Sequence, residues 1–422
     1  MGQPMDSTLS WSAHQVLQEA ARCLYCHDAP CVVRCPVGIK VPEFIRKIVT
    51  GNYEGAANVI YQSNVFGAIC ADVCPQIELC GKDCNTRNMG EAISIARLQQ
   101  FAVQQGQKVV ATPVAIQGKK IAVVGAGPAG LSGAYALAGR GYEVVVFEGR
   151  PYGGGTAAWG IPSYRLSPSV LERDLARIGE VVRDIRYSTV VGQDVSVEEL
   201  LTDYDAVLLG CGLGHGETMR IAGEGLPGVL SAEQLLASLN AGTKGAEPRA
   251  GHEMDRVIVI GGGNTAMDVA CVVKRAGASK VVVMYRRSLE EMPAWREEYE
   301  SAAALGVEFR FRTAPTAILG TDRVQALSCT DMKLKEGEIM GGRLEPVVGS
   351  EYQLAVDTVV IAIGQGKNRL IEQFGNSAKV FIAGDAGNGG ATVVQAVAEG
   401  QKAALAIDEF LQAVNTGGEG QL

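Results

Sequence analysis

Ile121-Ala-Val-Val-Gly-Ala-Gly-Pro-Ala-Gly-Leu131 reads as an apolar strand that runs into a Gly-x-Gly-x-x-Gly turn and then a helix. Such a helix aims its N-terminus at a phosphate. Gly125 permits the tight turn, Gly127 lets backbone amides approach a pyrophosphate, and Gly130 lets helix and strand pack closely. Pro128 and Ala129, inside the same turn, complete the candidate cradle. The motif alone is weak, because glycine turns also occur in ordinary α/β sheets. Its support is a second strand, Glu143-Val-Val-Val-Phe147, which ends in Glu148 at the spacing where a carboxylate takes adenosine ribose hydroxyls.

Arg256-Val-Ile-Val-Ile-Gly-Gly-Gly-Asn-Thr-Ala-Met-Asp268 repeats that pattern, with Gly261, Gly263 and Ala266 in the three fingerprint positions and Asn264 and Thr265 between them. Two nucleotide sites in one chain are what hydride exchange requires. Here the second strand, Lys280–Tyr285, ends in Arg286 and Arg287 instead of an acid. Guanidinium groups donate paired hydrogen bonds to a phosphate dianion, so this domain is expected to prefer NADPH over NADH. The competing reading has the arginines solvated or stacked on adenine. Cys271 stands alone in the helix after the second fingerprint and no cysteine pair follows the first, which excludes a dithiol relay. Cys211, Cys271 and Cys329 are expected to be buried small apolar residues.

A chain of 422 residues with 47% hydrophobic content has material for three domains. Its net charge of −8 argues against nucleic acid as a partner. There is no apolar run near the roughly 20 residues that span a bilayer, and Met1 to Ser10 has no signal-peptide pattern. Neither a membrane nor secretion is therefore expected, and the cytoplasm is the expected location. Eight of the eleven cysteines fall in one N-terminal region. Cys23-x2-Cys26-x4-Cys31-x3-Cys35-Pro36 is close to the bacterial ferredoxin run, and Cys70-x3-Cys74-Pro75-x5-Cys80-x3-Cys84 brings a second Cys-Pro pair. Two four-iron clusters suit eight such thiols. Zinc competes, but its usual paired C-x2-C units number only one here. His14 and His27 are read as a surface helix residue and a loop residue. Ser12-Ala-His-Gln15 and Ser231-Ala-Glu-Gln234 are capping boxes that should open helices, Val41–Ile48 is amphipathic, and Gln104 to Gly118 reads as a linker.

After Glu148 comes Pro151-Tyr-Gly-Gly-Gly-Thr-Ala-Ala-Trp-Gly-Ile-Pro162. With the cysteine runs and both fingerprints, the chain from Cys23 to about Leu405 resembles the small-subunit family of glutamate synthase, which includes the flavin subunit of bacterial dihydropyrimidine dehydrogenase. The resemblance implies two Rossmann-like dinucleotide-binding domains in a glutathione-reductase-like α/β flavoprotein, preceded by an α-helical iron–sulfur domain. Its divisions would be 1–115 for the clusters, 116–213 with 357–422 for FAD, and 214–356 for NAD(P)H. The strands Asp205–Gly212 and Asp357–Gly364 resemble the crossovers out of the flavin domain and back. Gly153, Gly154 and the Gly160-Ile161-Pro162 turn would lie beside FAD, although Gly155-Thr156 replaces common large aliphatic residues. Asp385 would hold the ribityl chain, and the helix opening at Thr392 and Val393 would face the flavin's pyrimidine edge, where its positive end favours negative charge.

The resemblance also implies interleaved iron ligands: Cys23, Cys26, Cys31 and Cys84 for one cluster, and Cys35, Cys74, Cys80 and the Gln99 side chain for the other. Cys70 would stand outside both. Cys26-His-Asp-Ala-Pro-Cys31 and Arg97-Leu-Gln-Gln-Phe101 resemble the dihydropyrimidine dehydrogenase subunit, whereas Tyr285-Arg-Arg-Ser288 resembles glutamate synthase or the ferredoxin:NADP oxidoreductase of the same family. No acid–base catalytic residue is expected, since the cofactors carry the chemistry. The expected activity is electron input: hydride from NADPH or NADH to FAD, then single electrons through [4Fe-4S] clusters to a partner oxidoreductase subunit in a hetero-oligomer. Alternatives are an NAD(P)H:ferredoxin oxidoreductase, an electron-bifurcating transhydrogenase subunit, and a non-catalytic dinucleotide sensor.

Overall fold

The computed structural model describes residues 11–106, 118–241 and 254–417. They fall into two compact units, one built on Gly214–Gly366 with the short Trp159–Pro162 segment, the other holding the rest.

The larger unit opens with helices. α1 (Ala13–Ala21) starts at the Ser12 cap, whose hydroxyl accepts from the Gln15 amide at 3.3 Å while the Gln15 side chain accepts from the Ser12 amide at 2.9 Å. α2 (Pro30–Val33) is a single turn, and α3 (Val41–Val49) buries Val41, Phe44, Ile45 and Ile48 along one face, as its amphipathic pattern requires. α4 (Tyr53–Ser63), α5 (Gly67–Val73) and α6 (Ile95–Gln105) enclose a core that includes Phe44, Ile48, Ile60, Phe66, Ile69 and Leu98. The expected linker begins inside α6 at Gln104, and its stretch from 107 to 117 lies outside the described residues.

The same unit continues through β1 (Lys120–Val124), α7 (Pro128–Ala138), β2 (Glu143–Phe147), α8 (Thr156–Trp159), α9 (Pro168–Gly179), β3 (Asp184–Arg186), α10 (Val197–Asp203) and β4 (Ala206–Leu209). In the second unit come β5 (Val229–Ser231), α11 (Ala232–Ala241), β6 (Arg256–Ile260), α12 (Asn264–Arg275), β7 (Lys280–Tyr285), α13 (Arg296–Ala304) and β8 (Glu308–Phe311). Then follow β9 (Thr313–Leu319), β10 (Ala326–Leu334), β11 (Leu344–Pro346), β12 (Tyr352–Ala355) and β13 (Thr358–Ile361). The chain returns to the larger unit for α14 (Leu370–Gln373), β14 (Val380–Ile382), α15 (Asp385–Asn388) and α16 (Val393–Gly417).

Two five-stranded parallel sheets result, ordered β14-β4-β1-β2-β3 and β5-β13-β6-β7-β8. Their strands are near-continuous apolar runs because both faces are covered. β9, β11 and β12 pair antiparallel with β10 in a separate sheet of the second unit. One expected boundary moves. The resemblance places Asp357–Gly364 at the start of the returning flavin segment, but β13 hydrogen-bonds between β5 and β6, so the return crossing falls at Gly366–Lys367. An apolar strand flanked by an acid fits the middle of either sheet, and its partners decide which one it joins.

Candidate functional site

The first fingerprint folds into a cradle of bare backbone. Gly125 has φ +102°, and a Cβ there would lie 2.5 Å from the Gly210 carbonyl oxygen. A Cβ on Gly130 would lie 2.0 Å from the Gly125 oxygen, which is the close helix–strand packing the motif predicts. Gly127 caps α7 with Pro128 at its first turn, and Ala129 is buried behind it. Gly154 donates its amide to the Ala126 carbonyl at 2.8 Å, and Gly155, at φ +54°, stacks on Gly127 so closely that a Cβ would come within 2.6 Å of its Cα. That contact explains glycine at a position where the family commonly has a large aliphatic residue. Gly153 sits against Ala126, whereas Gly160 belongs with the other unit, where Asn240 Nδ2 donates to the carbonyls of Trp159 at 2.8 Å and Ile161 at 3.1 Å.

Glu148 accepts from the Ala126 amide at 2.8 Å through one oxygen and from the Arg150 amide at 2.8 Å through the other. A carboxylate offers about four acceptor positions, so it is held in place and can still take ribose hydroxyls. Across the same cradle, Gly384 lies against Ala129, and Asp385 accepts from the Ala391 amide at 3.1 Å. Burial pushes the Asp385 carboxyl above its usual range. Glu399 fixes this turn by accepting from the Gly384 amide at 2.8 Å and from Asn388 at 2.7 Å. Thr392 caps α16 through a reciprocal bond with Gln395, leaving the Val393 end of that helix free to face an anion. The donor set and the glycine-lined backbone fit a dinucleotide.

The second fingerprint is similarly tight. Gly261 has φ +144°, with the Ala362 oxygen 2.1 Å from where a Cβ would stand. Gly263 caps α12 and faces open space, Thr265 is exposed, and Ala266 is fully buried. Asn264 spends its side-chain oxygen on the Trp295 amide at 2.8 Å, so it holds the loop after β7. The two arginines separate in role. Arg287 donates to Glu291 at 2.8 Å and to the Gly342 carbonyl at 3.0 Å, whereas Arg286 is exposed and makes no hydrogen bond or ion pair among the described residues. The Gly341 and Ser288 amides, and then Arg287, hold the Glu291 carboxyl down at about 2.

The N-terminal cysteines gather in two groups. Cys23, Cys26, Cys31 and Cys84 line one pocket together with Pro30 and Ile45. Burial, with the neighbouring Cys84 and Cys23 thiols, pushes Cys31 up to about 11. In the second group Cys74 shares a thiol hydrogen bond with Cys70 and lies beside Cys80 and Cys35. Burial and the nearby Cys35 and Cys31 push Cys80 up to about 12. Thiols crowded and buried in this way resist ionising until a metal's charge reverses the balance. Cys70 was expected outside both groups, but α5 carries it buried against Cys74 and Cys35. Gln99 is buried on α6, and its amide nitrogen donates to the Gly67 carbonyl at 2.7 Å. Among the described residues no three His, Cys, Asp or Glu side chains converge where one ion would bind. Cys271 and Cys329 are buried as expected. Cys211, just after β4, is partly buried, and burial pushes its thiol up to about 11.

Comparison with known proteins identifies the family. Residues 119–400 match the family described as pyridine nucleotide-disulphide oxidoreductase, and residues 4–110 match dihydropyrimidine dehydrogenase domain II, 4Fe-4S cluster. The NADPH glutamate synthase small chain of Escherichia coli K12 is 33% identical, over 95% of this chain and 93% of its own length. The chain belongs to the glutamate synthase small-subunit family of flavin- and iron–sulfur-dependent NAD(P)H oxidoreductases. The PreT subunit of NAD-dependent dihydropyrimidine dehydrogenase from Salmonella typhimurium is 33% identical, over 94% of both chains. The beta subunit of NADP(+)-dependent formate dehydrogenase from Moorella thermoacetica is 37% identical over 91% of this chain, which spans 60% of that subunit. Among solved structures, Mycobacterium tuberculosis FprA in complex with NADPH superposes with TM-score 0.60 at 21% identity, covering 72% of this chain and 87% of that one. At that identity it shows the fold alone.

Within this family's frame, several residues that matter left no mark in the sequence. Asp174 on α9 is fully buried and accepts from Tyr61 Oη at 3.1 Å and from the Ile69 amide at 2.9 Å, joining the first nucleotide-binding half to the cysteine-bearing α5. Glu399, Asn85 and Thr86 are likewise placed by contacts between distant segments or by a local turn. None belongs to a motif. The described residues include no helix long and apolar enough to cross a membrane.

Proposed function

We propose that this chain is an electron-input subunit that accepts hydride from NADPH and delivers single electrons to a partner oxidoreductase subunit of the glutamate synthase or dihydropyrimidine dehydrogenase type. Bound FAD and two [4Fe-4S] clusters would supply the hydride acceptance and the division into one-electron transfers. Glu148, Asp385 and the N-termini of α7 and α16 hold the flavin nucleotide, while Gly261, Gly263 and the N-terminus of α12 receive the pyrophosphate of the nicotinamide nucleotide. Arg286, free of other partners, reads the 2′-phosphate. Cys23, Cys26, Cys31 and Cys84 hold one cluster. Cys35, Cys74 and Cys80 hold the other with Gln99, whose amide is turned by Gly67 so that its oxygen is spare.

The observation that carries this reading is the Asp174 junction, which fixes α5, with Cys70 and the following Cys74, onto α9 within one compact unit. Of the two groups, the one beside exposed Leu24 and Asn85 would hold the cluster nearer the surface. The position of Cys70 favours a second ligand scheme, in which its thiolate replaces Gln99. Anaerobic addition of NADPH to the purified chain decides the main question. Bleaching of the flavin bands is expected, and an unchanged spectrum would leave the sensor reading.

A further inference from the structure

The turn after Cys84 has a role in neither nucleotide site nor in any ligand set. We infer that Asn85 and Thr86 set the reduction potential of the cluster held by Cys23, Cys26, Cys31 and Cys84. The inference rests on that ligand group, and it concerns tuning, not binding.

Cys84 precedes a short 3₁₀ turn, Asn85–Asn88, that folds two side chains back onto sulfur. Asn85 Nδ2 lies 3.2 Å from Cys26 Sγ, and Thr86 Oγ1 lies 3.1 Å from Cys84 Sγ. In the protonated thiol either Thr86 or Cys84 could donate. Once Cys84 is an iron-bound thiolate it has no proton, so the Thr86 hydroxyl must be the donor. A thiolate at Cys26 likewise accepts only from the amide nitrogen of Asn85. Thr86 is 5% exposed, so water cannot substitute for its hydroxyl, whereas Asn85 is exposed and water can partly replace its amide.

One-electron reduction places additional negative charge on the iron–sulfur core and its thiolates. A donor aimed at sulfur therefore stabilises the reduced state more than the oxidised one and raises the potential, a known lever for such centres. Both donors act on one of the two thiol groups. The other cluster serves as an internal reference in the same molecule. A higher potential at the group nearer the surface would pull electrons outward from the buried group.

The test is an EPR-monitored redox titration of the intact, reconstituted chain, with iron and sulfide measured on the same samples. Thr86→Val keeps the side-chain shape and removes the donor. It should lower the midpoint of one cluster by about tenfold in the one-electron equilibrium, about 59 mV, and leave the other midpoint in place. Thr86→Ser should restore the native value, and Asn85→Ala should give a smaller shift of the same sign. Unchanged midpoints in fully loaded variants would overturn the inference. Loss of the cluster in Thr86→Val together with an unchanged midpoint in Asn85→Ala would also overturn it, by reducing the turn to scaffolding. A native chain lacking iron and sulfide would instead strike at the ligand assignment beneath it.

Discussion

Arg286 and Arg287 are adjacent and chemically identical, yet they are placed for different work. Arg287 is committed to Glu291 and to the Gly342 carbonyl. A charge-assisted hydrogen bond contributes about 1.5–3 kcal/mol, and solvent at an exposed side chain lowers that. Arg286→Ala should therefore reduce kcat/KM for NADPH by about tenfold while leaving NADH use nearly unchanged. Arg287→Ala should act on both nucleotides alike, by loosening the loop that holds Gly341 and Gly342. Steady-state kinetics with both nucleotides checks this, and equal use of NADH and NADPH by the native chain would remove the phosphate-reading role. At the same scale, Gln99→Ala should cost iron from one cluster while Cys70→Ser keeps the full content. The reverse pattern in iron analysis would install Cys70 as the ligand.

The elements meet through contacts that side-chain substitution can probe. α7 and α16 touch backbone to backbone, and a Cβ on Gly400 would lie 2.1 Å from the Ala129 oxygen. Gly400→Ala must force those helices apart at a cost of about 1–3 kcal/mol, seen as a lower Tm and faster release of FAD. α9 meets α5 through Asp174, whose carboxyl burial raises to about 7 from an ordinary 3.8, against the smaller opposing pull of its hydrogen-bond donors and Arg177. The folded chain thus keeps this proton longer than the unfolded chain does. Stability from this group is full below about pH 4 and is lost as pH rises towards 7, by up to about 4 kcal/mol. Arg177 packs over the Tyr61 ring at 3.7 Å beside it. Asp174→Asn carries no such proton. Its Tm relative to the native chain should rise between pH 4.5 and 8, and a constant difference across that range would show that Asp174 does not titrate there.

For the whole molecule, the expected content is one FAD and about eight irons with acid-labile sulfide per chain, as two Cys-rich groups imply. Zinc without sulfide would refute the cluster assignment. A partner oxidoreductase subunit should co-purify from the native source, and its loss should leave NADPH-driven bleaching of the flavin intact, because both fingerprints lie in this chain. If bleaching required the partner, the chain would not be a self-sufficient electron input.

Local sequence determined the parts of this protein whose physics is local. Glycines at 125, 130 and 261 are required because backbone oxygens stand where side chains would be, and the strands announce themselves as apolar runs because both sheet faces are covered. Capping at Ser12 and Ser231 depends on residues three positions away, and the structure has both. Pairing between distant segments was decided only by the tertiary structure. β13 could have joined either sheet, and its hydrogen-bond partners settled it. Cys70, which spacing places in its run and resemblance sets aside, is brought to the distant Cys35 by the packing of α5. Likewise Asp174 lies in an ordinary amphipathic helix and gains its role only from Tyr61 and Ile69, more than 100 positions away in the chain. A sequence reports what each residue asks of its immediate neighbours, and the folded chain alone determines which distant groups answer a buried charge or thiol.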